Sequence, residues 1–171
     1  MRLTLLLLAI GTAMLLTVQA GPARADVVDR ALARLCPRGA AGLAPGVRAA
    51  SRRYLLPPVL LVALMRAESG CLADVVNPTT GAVGLGQILP AGNANPRHLT
   101  TWQLQDPARN LELTARHLAR CLSLCGSLGG AVSVYGGHRT CRESRHSRRV
   151  LSFVAEFWAW AGSRVLTGAA S

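Results

Sequence analysis

The chain has 171 residues, 50% of them hydrophobic, which is enough apolar sequence for one domain with a sizeable core and too much for a disordered polyelectrolyte. All 19 basic residues are arginine and 8 acids oppose them, so the formal charge of +11 calls for an anionic partner or surface. No nucleic-acid-binding motif accompanies that charge and no residue pattern asks for a cofactor, so both are set aside.

The chain opens with Arg2, an apolar run from Leu3 to Val18, and small residues at Val18-Gln19-Ala20 and Ala23-Arg24-Ala25. This is the layout of a secretory signal peptide over residues 1–25, with cleavage after Ala25 preferred over Ala20. An uncleaved anchor is the rival, because the run is close to the lower limit for crossing a bilayer. Export to the periplasm or the exterior argues against nucleic acid a second time. Losing Arg2 and Arg24 would take the charge from +11 to +9.

Residues 26–42 read as a short helix and a linker. Val27, Ala31, Ala33 and Leu35 recur near helical spacing, Cys36-Pro37 stops them, and Arg38 to Pro45 is rich in Gly and Ala. Residues 43–160 form the main module, starting with a short helix over Val47 to Tyr54. Pro57 and Pro58 suit the first turn of the next helix, which runs apolar from Val59 to Ala67 with Arg66 interrupting, and Gly70 suits its left-handed end. Glu68 then lies in the last turn, where the helix dipole and apolar neighbours both favour an uncharged carboxyl fit to act as a general acid.

Asn77-Pro78-Thr79-Thr80-Gly81 is turn chemistry, and Gly81, Gly84, Gly86 and Gln87 make an open, amide-bearing loop opposite that acid, a plausible sugar site. The polar segment after Pro90 is expected to be a loop lining one side of a cleft. Asp106 as N-cap and Pro107 at the first position start another helix, with Leu111, Ala115, Leu118 and Leu122 as its core stripe and His117 beside them as a surface or core histidine. Ser127 to Gly130 reads as a loop and Ala131 to Tyr135 as a short helix. Arg139, Arg142, Arg145, Arg148 and Arg149 form a solvated basic face or an anion patch. Val150 to Trp160 closes the core or touches a membrane surface, and 161–171 is a flexible tail.

All five cysteines follow residue 25, and export favours disulfides with one thiol left over. Several pairings are open; Cys125 to Cys141, closing the segment that carries Tyr135, is the expected one. Metal binding is disfavoured, because Cys121 and Cys125 lack a second close ligand pair.

Three blocks carry a resemblance. Ala67-Glu68-Ser69-Gly70 with Asn77 and Gly81-Ala82-Val83-Gly84-Leu85-Gly86-Gln87-Ile88 is similar to the E-S and G-x-x-G-L-x-Q signature of soluble-type lytic transglycosylase domains. Asp106-Pro107-Ala108-Arg109-Asn110-Leu111 resembles that family's D-P-x-x-N-[IL] helix start, and Ala131 to Gly137 its A-x-x-x-Y-N-x-G segment. The resemblance covers roughly Leu43 to Phe157. It implies a mainly α, lysozyme-like single domain with a substrate cleft, acting on peptidoglycan glycan strands, with envelope or secretion-machinery proteins as candidate partners.

It also implies that one acid suffices. Glu68 would protonate the glycosidic oxygen between MurNAc and GlcNAc, then take a proton from the sugar's own 6-hydroxyl, leaving 1,6-anhydro-MurNAc ends. Ser69 would orient the Glu68 carboxyl, with simple helix capping as the alternative. Gln87 and the backbone of Gly84, Leu85 and Gly86 would hold N-acetyl sugars, and Tyr135 would line the cleft, with a purely structural anchor as its alternative.

The chain departs from the pattern at Gly86, where Met is common, at Gly136, where Asn is usual, and at His146, where Tyr is frequent. A hydrolytic muramidase would need a second carboxylate, for which Asp74, Asp106 and Glu143 are candidates. A binding protein without turnover and a cationic membrane-active protein are the other readings.

Overall fold

The computed structural model describes residues 26–166, so the expected signal segment and the last residues of the expected tail, 167–171, lie outside the described residues. Among these, seven helices and no strands are present, and the fold is mainly α as expected.

α1 (Val27–Leu35) begins where the Asp26 carboxylate accepts the N–H groups of Val28 and Asp29, and it buries Val28, Ala31, Leu32 and Leu35. α2 (Ala44–Tyr54) starts earlier than its apolar pattern predicts, because Pro45 fits the first turn instead of prolonging the linker. α3 (Pro58–Ser69) buries every residue from Val59 to Met65, as a helix hydrophobic all round must. It is the central rod, with α1, α2 and α7 packed around it.

The segment expected as a loop before Asp106 contains a one-turn helix, α4 (Thr101–Leu104), set by a capping box between Thr100 and Gln103. α5 (Pro107–Cys125) follows with the expected Asp106 cap, 2.8 Å from the Arg109 N–H. α6 (Leu128–Tyr135) begins three residues before the expected start. Ser127 caps it, and Gly129 and Gly130 sit where a Cβ would fall 2.6 Å from Glu143 Oε1 and 2.6 Å from the Cys141 carbonyl. Those glycines answer to close packing rather than to a loop.

α7 (Arg145–Leu166) includes part of the arginine run in its first turn and continues past residue 161, where a tail was expected. It buries Val150, Phe157 and Ala161 in the main core and leaves Trp158 outward. Among the described residues no helix is long and apolar enough to cross a membrane. The expected Cys125–Cys141 bridge is formed, a second bridge joins Cys36 to Cys71, and Cys121 is a buried free thiol.

Candidate active site

Four segments converge on Glu68. α3 delivers the residue in its last turn, and Gly70 at φ 65° ends the helix as expected. The Glu68 side chain is 16% exposed. His146 at the start of α7 contacts it, the Glu68 charge acts on Tyr135 at the end of α6, and the adjacent Ser69 bonds to the turn over residues 83–88.

The turn is held from several sides. Val83 bridges both Val76 and Ile88, the Gly84 N–H donates to the Val75 carbonyl at 2.8 Å, and the Gln87 N–H donates to the Gly84 carbonyl at 3.1 Å. Asn110, fully buried on α5, accepts the Gly86 N–H at 2.9 Å and donates to the carbonyls of Val83 at 2.9 Å and Leu104 at 2.8 Å. The Tyr135 hydroxyl donates to the Gly86 carbonyl at 2.6 Å.

This network engages Ser69 and much of the turn backbone within the protein. The Ser69 hydroxyl makes no bond to Glu68; it donates to the Leu85 carbonyl at 3.1 Å and to the Met65 carbonyl at 3.3 Å. Successive helical side chains point about 100° apart, so Ser69 faces the turn while Glu68 faces the site. The backbone of Gly84 to Gly86, expected to hold sugars, has its Gly84 and Gly86 N–H groups engaged within the protein, and the Leu85 side chain is fully buried. The Gln87 side-chain amide donates to the Gly84 carbonyl at 3.1 Å and lies at the limit of reach, 3.4 Å, from the Val75 carbonyl.

The departure at Gly86 has a steric cause. A Cβ there would meet Thr114 Oγ1 at 1.9 Å and the Tyr135 hydroxyl at 2.7 Å. Thr114 of α5 fills the space that a side chain at position 86 would use. Tyr135 is half-buried, and its phenol is pushed well above the ordinary tyrosine value, first by burial and then by the carboxylate of Glu68. The hydroxyl itself is tied to the turn.

His117 is partly buried, and its ring lies 5.0 Å from that of Tyr135. Burial first, then Arg120 and Arg116, hold the imidazole below its ordinary range. A pocket of about 850 Å³ opens beside this pair, between the segment after Pro90 and α5, lined by Asn93, Asn95, His98, His117, Arg120 and Val134 among others. Glu68 is not part of its lining.

His146, in the first turn of α7, brings Nε2 to 3.1 Å from Glu68 Oε1, with the histidine side chain 24% exposed. The nitrogen is buried and makes no aligned hydrogen bond, so the contact is an ion-pair distance without hydrogen-bond geometry. A Cβ at Gly136 would lie 2.8 Å from His146 Cδ2, so the absence of a side chain at 136 makes room for the imidazole.

None of the candidate second acids pairs with Glu68. Asp106 caps α5, Glu143 lies against Gly129, and Asp74 is exposed with its carbonyl accepting from Gln105 Nε2 at 3.1 Å. Among the described residues no group of three or more His, Cys, Asp or Glu side chains could hold a metal ion. Sequence reasoning missed Thr114 and the contact between His117 and Tyr135, and it read Asn110 only as part of a helix start.

The family model for the transglycosylase SLT domain matches residues 46–151, a span that includes Glu68, the 83–88 turn, Asn110, Tyr135 and His146. No curated protein matches the chain.

Proposed function

The chain belongs to the transglycosylase SLT family, whose chemistry is lytic cleavage of peptidoglycan, and from that premise we propose that Glu68 is the single acid and base of an exported enzyme that cleaves the MurNAc–GlcNAc β-1,4 bond. Glu68 gives its proton to the glycosidic oxygen as the C1–O bond breaks. The resulting carboxylate takes the proton of the 6-hydroxyl on the same sugar while that oxygen bonds to C1. The proton count closes and no water is consumed, so the product carries a 1,6-anhydro-MurNAc end.

One observation carries the reading: Glu68 sits mostly buried at a helix end among the elements that bear the family's blocks, with no second carboxylate paired to it. A hydrolytic mechanism would need Asp74 to position water, and Asp74 is an exposed loop residue whose neighbourhood is built from its backbone. Two disulfides support an oxidising compartment. Gln87 and Tyr135 are proposed to shape the sugar site from the turn and from α6.

Glu68→Gln keeps the shape of the side chain and removes the titrating proton. It is expected to lower release of muropeptides from purified wall by at least about 100-fold, the usual worth of general acid catalysis, with an unchanged circular dichroism spectrum and melting temperature. A folded variant retaining more than about a tenth of the parent rate would overturn the assignment. Mass spectrometry of the parent's products should find anhydro ends, whereas reducing ends would indicate hydrolysis.

A further inference from the structure

The imidazole of His146 and the carboxyl of Glu68 face each other at 3.1 Å with both side chains largely buried. The other charged and titratable groups on the elements packed around His146 are Arg66 of α3, Tyr135 of α6, Asp29, Arg30 and Arg34 of α1, and Arg145, Arg148, Arg149 and Glu156 among those of its own helix; Asp29 is paired with Arg48, and Arg145, Arg148 and Arg149 are exposed. Arg34 and Arg66 are tied to Glu156 at 2.9 and 3.0 Å, and the guanidinium of Arg149 lies 5.8 Å from the ring of Phe153. Tyr135 is bonded to Gly86 and stays neutral. Glu68 is thus the acid paired with this imidazole.

We propose that His146 is a positioning residue that shares one proton with Glu68, keeping that proton within the site at pH values where an isolated carboxyl would lose it to solvent. This rests on Glu68 being the acid. The resting contact is not aligned, so the imidazole must turn to bring Nε2 into line with Oε1; the proton then passes between them, the N–H bond breaking as the O–H bond forms, and the ion pair becomes two neutral groups. Glu68 donates from the neutral form, and the 6-hydroxyl proton returns to Glu68 at the end of the cycle, so His146 never contacts sugar. Two sites this close titrate as a unit, and a pair that shares its last proton over two sites holds it more tightly than either site alone.

The geometry makes this a feature of this chain. His146 can approach only because position 136 carries no Cβ, so Gly136 and His146 act together.

The test compares kcat–pH profiles of parent and His146→Gln on purified wall, with the imidazole of His146 followed by NMR titration in parent and Glu68→Gln. Gln keeps a polar side chain but cannot take up a proton. The alkaline limb in His146→Gln should move to lower pH by about one unit while the plateau falls less than about 10-fold and products stay anhydro. In Glu68→Gln the imidazole should gain its proton at lower pH than in the parent. An unmoved or alkaline-shifted limb, or an imidazole titration indifferent to Glu68→Gln, would overturn the proposal, and the NMR comparison decides if His146→Gln does not fold. Activity surviving in Glu68→Gln would instead sink the role of Glu68 while leaving the proton coupling measurable.

Discussion

Position 86 is where a small local difference has the widest reach. Thr114 and Tyr135 occupy the volume a side chain there would need, and Tyr135 uses its hydroxyl to hold the Gly86 carbonyl. Gly86→Ala should therefore destabilise the fold by about 1–3 kcal/mol, the usual cost of overpacking. Adding Thr114→Ala should recover part of that loss, because the nearest obstructing atom is Thr114 Oγ1. Urea unfolding of the two single variants and the double variant checks this: strict additivity would mean that the two positions do not compete for space. Glu68 and Gly70 were legible in the sequence because helix punctuation is a matter of a few adjacent residues. The place of Thr114 was not, since it depends on α5 crossing a turn far away in the chain, and the bond from Ser69 to the Leu85 carbonyl depends on the same turn.

Helix existence followed from apolar spacing and Pro or Asp starts, whereas helix ends moved where packing overruled composition. α6 absorbed two glycines that look like a loop, and α7 ran on past residue 161, where a tail was expected. α5 does the most for the site, because Asn110 bolts the 83–88 turn to it through two hydrogen bonds of 2.9 Å, to Gly86 and Val83, and ties in the end of α4 through a third of 2.8 Å to Leu104. Asn110→Ala leaves the Gly86 N–H and the Leu104 carbonyl without their side-chain partner and the Val83 carbonyl with only the Ile88 N–H, and about 3 kcal/mol should be lost. Chemical denaturation measures that loss, and amide exchange should quicken at Gly86 ahead of the α3 core. A loss below about 0.5 kcal/mol would show that the turn stands by itself.

At the scale of the molecule, the sequence made the charge plain but not its distribution. Arg34, Arg48 and Arg66 are paired with acids, whereas Arg139, Arg142, Arg145, Arg148 and Arg149 lie exposed around the start of α7. Binding of the Glu68→Gln variant to purified wall should weaken as ionic strength rises from about 0.1 M to about 1 M, which shortens the Debye length from about 10 Å to about 3 Å. Co-sedimentation reads this directly, and undiminished binding at the higher salt would mean that contacts other than charge hold the wall. The Cys36–Cys71 bridge ties the end of α1 to the residue just beyond Gly70, and Gly39 packs so closely there that a Cβ would fall 2.2 Å from the Cys71 carbonyl. The stretch ahead of residue 46 thus works as a splint on the far side of the acid: a fragment cut to residues 46–151 would keep every signature residue and lose the brace that fixes where Glu68 points.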